Sequence, residues 1–209
     1  MELDEAECLT IEKGNVLIKF PDDMINKLKK IERVCDQAEG ALHLIFNESN
    51  CDNWSQRNDV DKNEKMKLCL LRCALSEIVG IEDALRKYYE NNNIFRLYDT
   101  KDPIIHFIRE LRNFEIHIKE TKISKHNIKV IYDGEVVTYK GSEVSINIDY
   151  LHIDLGSFKK LKNYNLYTLD QWSFMKDKFD KLQMNWGYQE VIIGAVEKYC
   201  TLLVDHYKL

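Results

Sequence analysis

Apolar residues recur along this chain with two different periods, and the change of period divides it. After Ile25, the positions Leu28, Ile31, Cys35, Ala38, Leu42 and Ile45 follow at steps of three and four. That spacing places one apolar stripe on a helix of roughly six turns. Pro21 stands before it, and Asp22 or Asp23 can cap its start. Upstream, residues 9–20 hold two short β-prone runs around Lys13-Gly14-Asn15, which predicts a hairpin. Residues 47–61, rich in Asn, Asp and Ser, read as a loop. Residues 63–90 are apolar around most of the circumference, as in a helix central to a bundle. Asn91-Asn92-Asn93 is expected to end that helix or loosen it.

A third helix is predicted from Asp102-Pro103 to about Glu120. Asp suits the N-cap, and Pro suits the first helical position, where its missing N–H costs nothing. Across 128–154 the period becomes two. Asp133-Gly134 separates the run ending at Tyr132 from the run starting at Glu135, a hairpin signal, and a third run, 144–150, joins them. Thr168 and Gln171 form a capping-box pattern. One helix could then run from 169 to 207, or two could meet near Asn185-Trp186-Gly187. Val191, Ile192, Ala195, Tyr199, Leu202 and Leu203 line one face of its second half. The predicted architecture is mainly α: a single domain over 1–209, a bundle of four to five helices with a small antiparallel β insertion at about 128–155.

Composition narrows the function. With 31% charged and 44% hydrophobic residues, the 209-residue chain can bury a core and is not disordered throughout. The net charge of −5 excludes broad, nonspecific coating of nucleic acid but not a small basic cleft. No apolar run approaches the length of a membrane span, and Met1-Glu2-Leu3-Asp4-Glu5 places acids where a signal peptide carries Lys or Arg. A cytoplasmic protein without a membrane partner is expected. The cysteines at 8, 35, 51, 69, 73 and 200 form no C-x-x-C pair, and no His stands at zinc-finger spacing. They are expected to be buried free thiols, and no metal or cofactor is assigned. P-loop, G-x-S-x-G, H-E-x-x-H and G-x-G-x-x-G motifs are missing from the sequence.

The helix at 104–120 carries the candidate chemistry. At about 100° per residue, Phe114, Phe107, Ile118, Leu111, Ile104 and Ile108 share one side. Arg112, Arg109, Glu120, Asn113, His106 and His117 take the other. Two Arg, two His and an Asn on one side suit an anion: Arg offers a planar fork to phosphate oxygens, and His moves protons near neutral pH. Asn113 and His117 are i,i+4 neighbours. Arg112 and His117 lie roughly 140° apart around the axis, so they flank the face and do not easily touch. A second copy related by a two-fold axis would bring them together across a cleft. Glu115 falls on the apolar side, where a charged tip snorkelling at the core edge is expected; the alternative is a partner for an Arg, including Arg112 by chain bending. Lys159, Lys160 and Lys162 read as a solvated basic run, and Trp172, Trp186, Tyr88 and Tyr89 as core or dimer contacts.

The segment Leu111-Arg112-Asn113-Phe114-Glu115-Ile116-His117 resembles the signature of HEPN domains: an Arg, a polar residue, and a His after four to six intervening residues. The resemblance implies an all-helical bundle with this motif late in it, and a metal-independent endoribonuclease. Two motifs would form one composite site at a homodimer interface. RNA's own 2′-hydroxyl would attack the adjacent phosphate, leaving a 2′,3′-cyclic phosphate and a 5′-hydroxyl. His117 would act as general base or acid, Arg112 would hold the scissile phosphate, and Asn113 would orient either. Helical phase adds Arg109 and His106 as contacts to flanking phosphates. Family habit points to a toxin or anti-phage role with an antitoxin protein as further partner. The alternative is a catalytically silent HEPN-like binding or scaffold module paired with a protein such as a nucleotidyltransferase antitoxin.

Overall fold

The computed structural model describes residues 1–11, 20–49, 60–90, 93–132 and 135–209. The predicted 9–20 hairpin falls largely outside them, as do Cys51 and the Asp133-Gly134 tip.

The first apolar stripe is one path through three pieces of helix. Helix α1 (Asp22–Leu28) has Pro21 itself at the N-cap, so Asp22 and Asp23 stand in its first turn and not at the predicted cap position. A 3-10 turn at Lys29–Ile31 then leads into α2 (Glu32–Ser49). The stripe survives the interruption: Leu28, Ile31, Cys35, Ala38, Leu42 and Ile45 are all buried. Helix α3 (Val60–Tyr88) packs along α2. It is more amphipathic than its composition suggests. Leu68, Leu71, Ala74, Leu75 and Ile78 are buried, while Cys69 and Cys73 face solvent. The expectation of buried thiols is corrected there and upheld at Cys35 and Cys200.

Helix α4 (Pro103–His117) is the enclosed one. Asp102 caps it, accepting from the backbone N–H of Ile104 at 2.7 Å and of Ile105 at 3.4 Å, with Pro103 at the first position. It stops at His117, earlier than the predicted Glu120. Lys119 takes a left-handed φ of 59°, and the N–H groups of Ile118 and Lys119 both donate to the Phe114 carbonyl. That closing turn needs positive φ and ends the helical path.

Neighbours surround α4. Helix α3 covers one side, and α6 (Leu169–Trp186) and α7 (Tyr188–Tyr207) cover others. Phe107 and Phe114 stack on Phe158 of the short α5 (Leu155–Phe158). The C-terminal segment is two helices, not one: Gly187, at φ 84° and ψ 155°, breaks the path. Thr168 and Gln171 form the predicted capping box.

The β insertion pairs its first and last runs. Strands β1 (Lys122–Lys129) and β6 (Ser145–His152) are antiparallel, in register from Lys122 opposite His152 to Lys129 opposite Ser145. Between them lie two small hairpins, β2 (Ile131–Tyr132) with β3 (Glu135–Val136), and β4 (Thr138–Tyr139) with β5 (Ser142–Glu143). Val130, Val137 and Val144 close the junction: Val130 N–H donates to Val144, Val144 to Val137, and Val137 to Val130, at 2.8–2.9 Å. Three two-stranded arms thus radiate from a ring of backbone hydrogen bonds. Ile131, Tyr139 and Ile146 on these arms are exposed, while the base is tied to α3 by Lys67 on Asp149 at 2.6 Å.

Candidate functional site

The polar side of α4 is mostly an interior strip. Its first member, His106, is fully buried, which overturns its expected place on an open RNA-facing surface. Nε2 lies 2.8 Å from the Thr100 carbonyl and Nδ1 lies 2.9 Å from the Tyr167 hydroxyl. A carbonyl only accepts, so Nε2 carries the proton and Nδ1 accepts from the tyrosine. Burial pushes the His106 pKa below its ordinary value, against the Thr100 bond that raises it. This ring is a neutral structural histidine.

One turn on, Glu110 is also fully buried. Its Oε1 accepts from the Tyr98 hydroxyl and its Oε2 from Asn113 Nδ2 at 3.2 Å. Burial pushes its carboxyl up, and the bonds from Tyr98 and Asn113 and the nearby Arg109 charge pull the other way. With its amide nitrogen held, Asn113 points Oδ1 at two guanidinium groups: Arg109 Nη1 at 3.4 Å and Arg112 Nη1 at 3.2 Å. Arg109 also lies over the Tyr98 ring, 5.0 Å from its centroid, and 3.8 Å from Glu82. It is a bridge between α3 and α4, and its charge is partly answered.

Arg112 differs. Among the described residues no carboxylate pairs with this half-buried group, although its Nε, like that of Arg109, is buried without an acceptor there. The neutral amide of Asn113 fixes the group without cancelling its charge. His117 is exposed in the last turn and makes no hydrogen bond or ion pair among the described residues. The structure therefore joins Arg112, Asn113 and Arg109, and sets His117 apart. Asn113, committed to Glu110 and the two arginines, does not hold the imidazole.

Glu115 corrects another expectation. It does not snorkel; it is fully buried. Its Oε2 accepts from Arg72 Nε of α3 at 3.0 Å, and its Oε1 from the Thr121 hydroxyl. This pair pins α3 to the end of α4 that presents His117. Glu110, Tyr98, Tyr167 and Arg72 were not singled out in the sequence. Glu110 could have been, since it falls four residues after His106 and three before Asn113, on the same helical stripe.

Among the described residues, no cluster of three or more His, Cys, Asp or Glu suits a metal ion, and no helix is long and apolar enough to cross a membrane. The strip can anchor, orient and hold two positive groups, and His117 stands exposed beyond it. No family model, no curated protein and no solved structure matches this chain.

Proposed function

We propose that this protein is an HEPN-like, metal-independent endoribonuclease whose working groups are Arg112 and His117. One observation supports this reading above the rest. A largely buried helix ends in an imidazole that has no partner among the described residues, five residues beyond a guanidinium that is positioned but that no described carboxylate neutralises. A solvated surface pair has no need of such support. The Asn113 amide orients Arg112, the Glu110 carboxylate orients Asn113, and Tyr98 orients Glu110. A fixed cation of this kind stabilises charge that grows on a phosphate in the transition state.

In this reading, the 2′-hydroxyl of RNA attacks the adjacent phosphorus and loses its proton. The P–O5′ bond breaks, and the leaving oxygen takes a proton up. His117 moves one of these protons, and His117 of a second copy moves the other. Arg112 grips the nonbridging oxygens. The two copies meet about a two-fold axis near the C-terminal end of α4, where the site opens to solvent. A toxin or anti-phage setting, a cytoplasmic location and an antitoxin partner belong to the same proposal.

The test is cleavage of labelled tRNA and mRNA in excess EDTA by the wild type, Arg112→Ala and His117→Ala. The proposal expects cutting that survives EDTA and is lost in both variants. Cutting that needs a divalent ion, or that both variants retain, overturns it. Wild-type protein that cuts nothing yet forms a tight complex with a nucleotidyltransferase-type protein supports the silent scaffold instead.

A further inference from the structure

Helix α3 turns an unusual stripe to solvent. Cysteine is among the most buried residue types, and a free thiol packs as a small hydrophobe. Cys35 and Cys200 follow that rule, but Cys69 and Cys73 are both exposed. Met66, beside them, is 42% exposed. These residues stand at i, i+3 and i+7 on a regular helix. From Cys69, Cys73 lies about 40° and Met66 about 60° around the axis, so three sulfurs share one face within two turns. The buried side, Leu68, Leu71, Ala74, Leu75 and Ile78, is opposite. The Cys73 thiol is pushed up, first by its partial burial and then by the Cys69 thiol next to it.

We propose that Met66, Cys69 and Cys73 form a surface site for a soft monovalent d10 cation of the Cu(I) class, bound by two thiolates and a thioether. Two alternatives fail on geometry. Side chains at i,i+4 on a helix have Cβ atoms about 5–6 Å apart, whereas a disulfide needs about 3.5–4.5 Å. A direct sulfur–sulfur bond would distort the turn. A metal about 2.3 Å from each sulfur holds the two sulfurs about 4 Å apart, which an undistorted turn can supply. Zinc prefers four ligands from thiolate, imidazole or carboxylate, and no third such group joins the two cysteines among the described residues. Thiolate and thioether together select Cu(I).

The binding step transfers no electrons. Each thiol releases one proton to solvent, two sulfur–metal bonds form from the thiolates, and the neutral thioether donates a third. The complex carries one negative charge, with the Glu77 carboxylate the nearest charged neighbour of Cys73, and exposure of the face to water screens that charge.

The experiment is an anaerobic titration of the full chain with Cu(I) against a chromophoric Cu(I) chelator. One ion per chain is expected, with a near-ultraviolet thiolate-to-metal absorption band. Cys69→Ser and Cys73→Ser should each weaken binding by at least the about 100-fold that loss of an outer-shell partner costs. Met66→Leu should weaken it by about tenfold, and Cys8→Ser and Cys51→Ser should leave it unchanged. All three site residues are exposed, so the fold should tolerate the changes, and circular dichroism checks this. No uptake by the wild type, equal uptake by a Cys69→Ser/Cys73→Ser double variant, or tighter retention of Zn(II) than of Cu(I) overturns the proposal. Wild-type affinity in Met66→Leu overturns the three-sulfur site.

Discussion

The two ends of α4 place the same residue types in opposite surroundings. Near its start, His106 is sealed between Thr100 and Tyr167, neutral and bonded through both nitrogens. At its end, His117 is exposed and engages nothing among the described residues. Arg109 is answered by Glu82 and Tyr98, whereas Arg112 keeps its charge. The difference teaches that a polar stripe on a helix is not yet a surface. What covers each turn decides whether a histidine is buried scaffold or open to solvent. At the first end the covers are residues 97–100, which include a 3-10 turn at Leu97–Asp99, and Tyr167; at the last end no described residue covers the His117 ring.

Substitutions at the two ends should therefore fail differently. His117→Ala carries the largest expected effect, a loss of about 10²–10⁴-fold in RNA cleavage, with stability within about 0.5 kcal/mol of wild type. Kinetics and thermal melts on one preparation check both halves. A large melting shift would move His117 into the scaffold class and break the contrast.

Arg112→Ala should cost about 10²–10³-fold in turnover. Arg112→Lys should recover only part of it, because an ammonium keeps the charge but not the planar fork. Full recovery by Lys would show that charge alone matters and that the Asn113 contact is incidental.

Glu115→Ala acts on the scaffold that holds the open end. It strands Arg72 and the buried Thr121 hydroxyl. Breaking such a pair costs about 3 kcal/mol, read as a melting point lower by about 10 °C. An unchanged melting point would mean that α3 and the end of α4 are not pinned there.

The smallest effect is a pH dependence at the closed end. The folded-state pKa of His106 lies below its ordinary value of 6.5. Well above pH 6.5 the ring is neutral in both folded and unfolded chains. As pH falls through 6.5 the unfolded chain takes the proton first, so stability declines toward the folded pKa. Glu110 works the other way: its pKa is raised, so it favours folding at low pH and loses that contribution as pH rises through its folded value. His106→Gln should flatten the decline below pH 6.5 in urea titrations, and an unaltered slope would place the titrating group elsewhere.

Much of the fold is legible in the sequence because its signals are local. Asp102 and Pro103 start α4, Thr168 and Gln171 start α6, and the stripe from Leu28 to Ile45 marks the face that α1 and α2 bury. Arg112, Asn113 and His117 stand out by spacing and type. What was hidden depends on neighbours. A helical wheel cannot say that α4 is covered on its polar side by Thr100, Tyr98 and Tyr167, so His106 read as surface. It cannot supply Arg72 from another helix, so Glu115 read as an edge residue. Composition made α3 look central, but its exposed Cys69 and Cys73 count as apolar only on a scale blind to their chemistry. The pairing of β1 with β6 around a ring of valine amides is a closure between distant runs, which alternation alone does not specify.

The most direct measurement of the central claim is end-group analysis of RNA cut in EDTA, on a substrate with a single 2′-deoxynucleotide placed at the mapped cut site. The account predicts 2′,3′-cyclic phosphate and 5′-hydroxyl ends, no cutting at the deoxy position, and no such products from His117→Ala. Products with 3′-hydroxyl and 5′-phosphate ends, or cyclic-phosphate products undiminished in His117→Ala, would contradict it.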